Sequence, residues 1–295
     1  MQASLRAGRA AVMRGAMVRT AGVLAAITFL AVVSAAAQPR MTAGAERARE
    51  RATYHFDNPS TFNTPDLVPH FFEQHYVLDN VWITASASYR LGIDLQTSIG
   101  ATPQTQALAT DYDTFFNPGQ VVWVSGTTGD ARVRSWRVSQ ALRLGRAGPV
   151  ALTGGYRLRV DRADFLDGDR TVLRNGVLAD RTVVTTREYT TAQRHEIYVG
   201  ARVGHAIGSA WRLDANADVA PAAIYRLAIE LPDKYPGRTL VYRTTALTVG
   251  GQVVLSHAWS DWTLALLAGA HGTVSYSATQ RVDRSALTVG LTIGR

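Results

Sequence analysis

Residues Val150–Asp161 read VALTGGYRLRVD, and along this stretch apolar and polar side chains alternate one by one. Trp211–Val219 (WRLDANADV) and Leu287–Ile293 (LTVGLTI) repeat the alternation. A period of two residues is typical of a β-strand with one apolar and one polar face. Comparable runs cover Val81–Leu91, Ile93–Ala101, Trp136–Leu144, Glu196–Gly204, Leu247–Leu255 and Trp262–Ala270. Because no amphipathic helical period interrupts these runs, the sequence predicts an all-β fold.

The connections between these runs alternate in length. Short turns occur at Gly92, 146–148, 208–209 and 260–261, and longer polar stretches at 111–130, 161–194, 231–238 and 276–284. Short turns at one end and longer loops at the other are typical of bacterial outer-membrane barrels, which have an even number of strands, and about nine runs are visible. We therefore predict a transmembrane antiparallel up-and-down β-barrel of ten strands, with the remaining strand near Thr53–Phe56 (TYHF).

Alternation alone leaves the direction of the apolar face open. A soluble periplasmic barrel would turn this face inward around an apolar ligand, whereas a membrane barrel turns it outward to lipid. The runs are about ten residues long, as a tilted membrane strand requires. Trp211 shares its parity with Tyr225, and Trp262 with Tyr276, which fits two interfacial aromatic girdles if Pro221 introduces no bulge. We predict the membrane barrel and keep the soluble barrel as the alternative.

The N-terminal region has the pattern of an export signal. Positions 1–20 carry arginines and no acidic residue, and the apolar run Gly22–Val33 is short for a membrane span. Small residues then lead to Ala37, where a signal peptidase would cut. We divide the chain into a signal peptide (1–37), an N-terminal segment (38–50) and the barrel (51–295), with a membrane anchor as the alternative for the first segment. The sequence thus predicts location in the bacterial outer membrane.

The composition excludes several classes of function. The chain carries 31 Lys+Arg against 23 Asp+Glu, a formal net charge of +8, and no cysteine. Half of the excess lies in the predicted signal peptide, and no basic run remains to form a nucleic-acid patch. The absence of cysteine excludes disulfides and thiol chemistry. Glycine-rich phosphate loops, a serine nucleophile elbow and metal-ligand clusters are also missing, so we expect no cofactor, no metal and no nucleic-acid partner.

If the apolar faces meet lipid, the polar faces line the lumen. The residues so placed are Arg90, Asp94, Arg137, Arg143, Arg157, Arg159, Arg202, Arg212, Asp214 and Asp218. Buried charges require partners, so these residues form either a paired network or the lining of a selective channel. Side chains largely fill a lumen of about ten strands, which favours the paired network.

The segment Ile93–Gly119 (IDLQTSIGATPQTQALATDYDTFFNPG) contains an Asp-x-Asp pair, Asp111-Tyr112-Asp113, followed by Asn117-Pro118-Gly119. In this it resembles the omptins, ten-stranded outer-membrane proteases in which a carboxylate-supported histidine and opposing aspartates activate a water. The resemblance implies that Asp111 and Asp113 are one catalytic pair. It also implies an Asp-His pair after the sixth strand. That segment, Leu231–Gly237 (LPDKYPG), has Lys234 where the histidine belongs, and an exposed lysine stays protonated near neutral pH.

The incomplete motif leaves the activity open. His55, His70 and His75 could approach the cleft if the N-terminal region forms the first loop, whereas the Asp111-x-Asp113 pair could instead belong to an Asx-type loop. We predict a non-enzymatic omptin-like barrel with a structural, binding or small-pore role. The alternatives are an omptin-like endopeptidase with a modified active site and the soluble periplasmic barrel. The expected partner is outer-membrane lipid, with lipopolysaccharide as a candidate, and the sequence specifies no extracellular ligand or peptide.

Overall fold

The computed structural model describes residues 39–57, 70–91, 93–117, 121–165, 168–184, 187–233 and 235–295. Its strands are β1 (Arg40–Asp57), β2 (His70–Leu91), β3 (Ile93–Ala101), β4 (Thr105–Asn117), β5 (Val121–Ala147), β6 (Val150–Phe165), β7 (Gly168–Arg174), β8 (Val177–Val184), β9 (Glu188–Ile207), β10 (Trp211–Glu230), β11 (Thr239–Trp259), β12 (Trp262–Ser275) and β13 (Gln280–Gly294). In the described ranges, no helix is long and apolar enough to cross a membrane. The all-β prediction is confirmed.

The strands close into a ring of ten. β3 and β4 both pair with β2 and β5, so together they act as one interrupted barrel strand. β7 and β8 form a hairpin that extends from the far end of β5 and stays outside the ring. β1 pairs with β2 on one side and with β13 on the other, which joins the two ends of the sheet. All of these pairings are antiparallel, as predicted for an up-and-down barrel.

The first strand is longer than predicted. β1 contains the predicted Thr53–Phe56 stretch, but its pairing with β13 already begins at Thr42↔Gly294. Residues 40–50, which we predicted to precede the barrel, are therefore part of its wall. Arg47 and Arg49 face outward on this strand, at positions where apolar alternation requires apolar residues. The predicted start of the barrel at residue 51 was based on that alternation and was therefore too late in the chain. The predicted signal peptide, residues 1–37, lies outside the described residues and stays a prediction.

Two stretches predicted as long polar loops are mostly strand. Within 111–130, β4 and β5 stay paired as far as Asn117↔Val121. Within 161–194, β6 and β9 stay paired as far as Phe165↔Glu188, and the β7–β8 hairpin occupies the stretch between them. Where strands rise above the membrane their outer face meets water, so polar residues replace the outward apolar ones and give these segments the composition of a loop.

An apolar band surrounds the barrel next to the short turns. On β9 and β13, the exposed apolar side chains are Ile197, Val199, Val203, Ile207, Leu287, Val289, Leu291 and Ile293. A row of outward charged residues follows on the far side of this band: Arg47, Asp79, Arg134, Arg162, Arg226, Arg243 and Asp283. The short turns of such barrels face the periplasm, so the charged row marks the extracellular edge of the band. Because the apolar faces point outward, the soluble-barrel alternative is wrong.

One of the two predicted aromatic pairs is present. Trp262 and Tyr276 are exposed on the outer face, at 44% and 62%. Trp211 is exposed as well, but Tyr225 is buried at 3% and points into the lumen. The reason is a β-bulge between Ala220 and Ala223, next to Pro221, which shifts the register of β10 by one residue against β11.

Candidate functional site

Asp111 and Asp113 lie on β4, near its extracellular end, rather than in a loop. Asp111 pairs in register with Gln74 and Asp113 with Phe72, and both of these partners are buried inside the barrel. The alternation of the strand turns Tyr112 outward between them. The two aspartates therefore face the extracellular part of the lumen, and the Asx-type loop interpretation does not apply.

A buried polar cluster lies beside Asp111. Gln74 Nε2 donates a hydrogen bond to Glu188 Oε1, and Tyr76 OH donates to Gln74 Oε1 at 3.1 Å. Thr190 Oγ1 lies 3.1 Å from Glu188 Oε1. Burial raises the pKa of Tyr76 well above its usual value, and the negative charges of Glu188 and Asp111 raise it further. The carboxylates of Glu188 and Asp111 thus both raise the pKa of the same phenol. Sequence analysis missed Glu188 because this residue lies in the stretch 161–194, which was predicted as a loop.

His55 and His75 lie on the outer face of the barrel, above the apolar band. Glu73 joins them, with Oε2 2.8 Å from His55 Nδ1 and Oε1 2.6 Å from His75 Nε2. His75 pairs in register with Thr110, one residue from Asp111, but on a strand successive side chains point to opposite faces. The sheet therefore separates both histidines from the aspartates. Neither His55 nor His75 can serve as the base for a water held by Asp111 and Asp113.

The other histidines also lie away from the aspartates. His195 is on the outer face beside Tyr156, and His271 is in the lumen nearer the periplasm. His205 and His257 lie next to the short turns. The side chain of His70 lies outside the described residues. Among the histidine side chains that the structure describes, none shares the extracellular inner face with Asp111.

The loop that the resemblance assigns to the second catalytic pair is held by Asp233. Its Oδ2 accepts a hydrogen bond from the backbone N–H of Arg187 at 3.1 Å, which ties the loop to the start of β9. Lys234, the residue at the expected histidine position, lies outside the described residues. Within the described part of the loop, Asp233 therefore has a positional role between two extracellular segments.

The extracellular part of the lumen is filled by an apolar core, here called the upper cluster. Its aromatic members stack on one another, with ring centroids 4.3 Å apart for Phe56 and Tyr242 and 6.3 Å for Phe72 and Tyr242. The remaining members are Ala52, Tyr54, Tyr76, Leu78, Ala107, Ala109, Ala131, Val133, Ala163, Phe165, Ala192, Ala223, Tyr225, Leu227, Ile229, Ala246 and Val282. This cluster closes the barrel from the outside.

Below the upper cluster, the lumen carries ion pairs. At its centre, Glu50 Oε2 lies 2.6 Å from Arg284 Nη2 and 2.9 Å from Arg159 Nη2. Further pairs are Arg157–Glu196, Arg157–Asp218, Arg194–Glu196, Arg137–Glu46, Arg202–Asp214, Arg212–Asp214 and Arg143–Asp94. The predicted paired network is confirmed. Glu50 and Arg284 were missed because both lie in segments that the alternation did not assign to strands.

A cavity of about 1410 Å³ occupies the periplasmic half of the lumen. The lumen residues predicted from the alternation all line this cavity, with the exception of Arg90. Arg90 lies beside a short turn with its side chain 80% exposed, 3.7 Å from Asp94. The lumen thus has a packed extracellular half, which is apolar apart from the cluster around Gln74 and Glu188, and a polar half that reaches the periplasmic end.

Solved structures of similar fold are outer-membrane barrels. The outer membrane protease OmpT from Escherichia coli matches with a TM-score of 0.64 at 8% sequence identity, covering 87% of this chain and 95% of that one. The chain has an omptin-like outer-membrane β-barrel fold. Neisserial surface protein A matches with a TM-score of 0.28 at 11% sequence identity, covering 87% of this chain and 97% of that one. No protein-family model and no curated protein sequence matches the chain.

The omptin-like barrel lies in the bacterial outer membrane. Its outward apolar band, bounded by exposed Trp211, Trp259 and Trp262 at the periplasmic end, fits a lipid-facing surface. At 8% identity the similarity to the Escherichia coli protein shows the fold and no more. The predicted fold and location are confirmed, whereas the roles of Asp111 and Asp113 stay predictions.

Proposed function

We propose that this omptin-like barrel is a non-conducting outer-membrane protein with a structural and binding role. The observation that supports this proposal is the upper cluster. Its side chains are buried across the whole extracellular half of the lumen, including Phe56 at 1%, Leu227 at 2% and Val282 at 1% exposed. A hydrated ion crosses such a core only by losing its water, and the stacked rings and aliphatic side chains that make up most of the core cannot replace that water.

Conductance measurements test this role. We expect the refolded protein in planar lipid bilayers to give no stepwise ion current. A matched variant, Phe56→Ala/Phe72→Ala/Tyr242→Ala, removes the stacked rings and should introduce current if the upper cluster is the barrier. Steady channels in the wild-type protein would overturn the proposal. Heat-modifiable gel mobility reports whether the triple variant is folded, and Leu227→Ala is a milder substitute if it is not.

Outer-membrane lipid with phosphorylated headgroups, such as lipopolysaccharide, is the partner that we propose for the extracellular edge of the apolar band. Two arginine pairs face each other directly across neighbouring strands there, Arg134↔Arg162 and Arg226↔Arg243. Like charges opposite one another destabilise a sheet. Asp164 lies 3.3 Å from Arg162 and offsets one of these charges, and a bound anion would offset the others. Guanidinium groups bind phosphate oxygens in pairs, which fits a phosphorylated glycolipid.

A thermal assay tests this partner. Added lipopolysaccharide should raise the temperature at which the barrel loses its compact gel mobility, and the quadruple variant Arg134→Gln/Arg162→Gln/Arg226→Gln/Arg243→Gln should lose most of that increase. The control is Arg47→Gln/Asp79→Asn, since these residues already form an opposite-charge pair at 2.6 Å on the same edge. An equal response of the quadruple variant and the wild type would contradict lipid binding by the arginines.

An endopeptidase with a modified site is the second candidate. What favours it is the position of Asp111 and Asp113, which face the lumen at the extracellular end of a barrel that shares its fold with an outer membrane protease. The test is hydrolysis of basic peptides by the wild type and by Asp111→Ala/Asp113→Ala. Cleavage that disappears in the double variant would replace the non-enzymatic proposal, and absence of cleavage in the wild type would reject the protease.

A further inference from the structure

The periplasmic cavity changes in charge balance along its length. At the inner end, Arg159 and Arg284 face Glu50 and Asp161, so positive and negative charges balance. Towards the periplasm the arginines outnumber the carboxylates. The arginines at this end, here called the arginine mouth, are Arg40, Arg143, Arg146, Arg202 and Arg212. The Arg295 guanidinium lies instead over the ring of the outward-facing Trp262. The carboxylates that line the same end are Asp94, Asp214 and Asp261.

Two of these carboxylates, Asp214 and Asp94, each form ion pairs with two arginines. Asp214 Oδ2 lies 3.0 Å from Arg202 Nη2 and 2.9 Å from Arg212 Nε. Asp94 lies 3.4 Å from Arg143 Nη1 and 3.7 Å from Arg90 Nε. A single carboxylate cannot neutralise two guanidinium groups, so each group of three carries net positive charge.

The Arg202–Asp214–Arg212 group is held in place by its surroundings. The Asp214 carboxylate is 5% exposed, whereas the side chains of Arg202 and Arg212 are 50% and 53% exposed. Gly204 pairs with Asp214 across the strands, and a Cβ at position 204 would overlap Arg212 Nη2 and Asp214 Oδ1. The buried carboxylate therefore fixes two half-exposed guanidinium groups over a glycine that leaves room for them.

We propose that the arginine mouth binds the oxyanion groups of a periplasmic polyanion, with Arg202 and Arg212 as its principal binding residues. Guanidinium forks bind phosphate and carboxylate oxygens in bidentate fashion. The cavity volume of about 1410 Å³ exceeds the roughly 300–1,000 Å³ that encloses one small ligand. A chain of anionic groups fits this space better than a single small anion.

Calorimetric titration with sodium tripolyphosphate tests the proposal. The full-length mature barrel in a non-ionic detergent at low salt should bind this anion. Arg202→Gln/Arg212→Gln should weaken binding at least tenfold, whereas Arg49→Gln/Arg51→Gln removes equal charge from the outer face of β1 and should leave the affinity unchanged. Absence of binding by the wild type, undiminished binding by the first variant, or an equal loss in the second would each overturn the proposal.

A second variant separates binding from folding. Gly204→Ala keeps every charge but displaces the Arg212 guanidinium, so it should also weaken binding while the barrel keeps its heat-modifiable mobility. If Arg202→Gln/Arg212→Gln fails to fold, Gly204→Ala and the charge-conserving Arg202→Lys/Arg212→Lys take its place. Unchanged affinity in both would overturn the proposal.

Labelling locates the binding site. The chain has no cysteine, so Ala258→Cys at the arginine mouth and Thr182→Cys on the extracellular hairpin each give a single reactive thiol. Tripolyphosphate should slow modification of the first thiol by a bulky maleimide and leave the second unaffected, and the reverse result would overturn the location. Competition by carboxylate-bearing peptidoglycan fragments identifies a carboxylate source, and failure to compete identifies a phosphate source.

Discussion

Arg284 on the last strand and Glu50 on the first strand meet inside the barrel, with Nη2 2.6 Å from Oε2. Their side chains are 2% and 1% exposed. Arg284 Nη1 also lies 2.7 Å from Asp161 on β6, and Arg159 on the same strand lies 2.9 Å from Glu50. The seam at which the sheet closes is therefore tied, through the lumen, to the opposite wall.

Loss of the Glu50 charge should destabilise the barrel strongly. Glu50→Gln leaves Arg159 and Arg284 with Asp161 alone, and removal of one partner from a buried ion pair costs about 3–5 kcal/mol. The measurement is equilibrium unfolding in urea in detergent micelles, followed by tryptophan fluorescence. Glu50→Gln/Arg284→Gln restores the charge balance and should recover part of the loss. An unfolding midpoint equal to that of the wild type in Glu50→Gln would contradict the role of this pair.

The outer-face cluster around Glu73 should make stability depend on pH. Partial burial raises the pKa of Glu73, but hydrogen bonds from His55 and His75 outweigh it, so the pKa lies below its usual value. A lowered folded-state pKa stabilises the fold above the unfolded-state value of about 4.3, and this contribution disappears as the pH falls through the folded-state pKa. Glu73→Gln should therefore lower the thermal transition at pH 5 and have little effect near pH 3.

A matched variant controls for the charge. Asp283→Asn removes an exposed carboxylate from the same side of the barrel, and it should not reproduce the pH dependence. A difference between wild type and Glu73→Gln that grows as the pH falls below 4 would show that the sign is wrong.

The bulge in β10 should be dispensable for the orientation of the side chains on either side of it. Pro221 and Ala222 are both exposed between the buried Ala220 and Ala223, so deletion of Ala222 removes the extra residue and restores regular alternation. Tyr225, Leu227 and Ile229 then still face inward, and the deletion variant should keep the heat-modifiable compact form. Pro221→Ala keeps the residue count and the backbone carbonyl that accepts the Tyr276 hydroxyl at 2.5 Å. Loss of the compact form in the deletion variant, with Pro221→Ala still compact, would show that the bulge itself is required.

Neighbouring positions on β11 should respond in opposite ways to arginine. Val253 is 49% exposed within the apolar band, whereas Gln252 lines the periplasmic cavity. Arginine on the lipid face near the middle of a bilayer costs about 2–4 kcal/mol, so Val253→Arg should fold poorly into lipid vesicles. Gln252→Arg should fold with nearly wild-type yield, and similar yields for both variants would contradict the assignment of inner and outer faces.

The sequence predicted the fold well where the signal is local. Alternation in Val150–Asp161 and Trp211–Val219 correctly assigned strands, faces and most lumen charges. It failed on β1, where outward arginines replace the apolar side chains above the band, and at Tyr225, where one extra residue reverses the parity. For the candidate site, the pattern placed Asp111 and Asp113 at the extracellular end, but it could not show that His75 lies across the sheet from them.

By itself the sequence determined the all-β class and most of the strands, because a period of two can be read from consecutive residues. The count of ten came from about nine visible runs together with the even strand number of bacterial barrels, and the outward apolar face from the strand length. Only the tertiary structure decided which charges meet. Arg284 and Glu50 come from opposite ends of the chain, and Glu188 reaches Gln74 only because β9 and β2 curve around one lumen. Closure of the barrel and the shear between its strands set these contacts, and no local pattern encodes them.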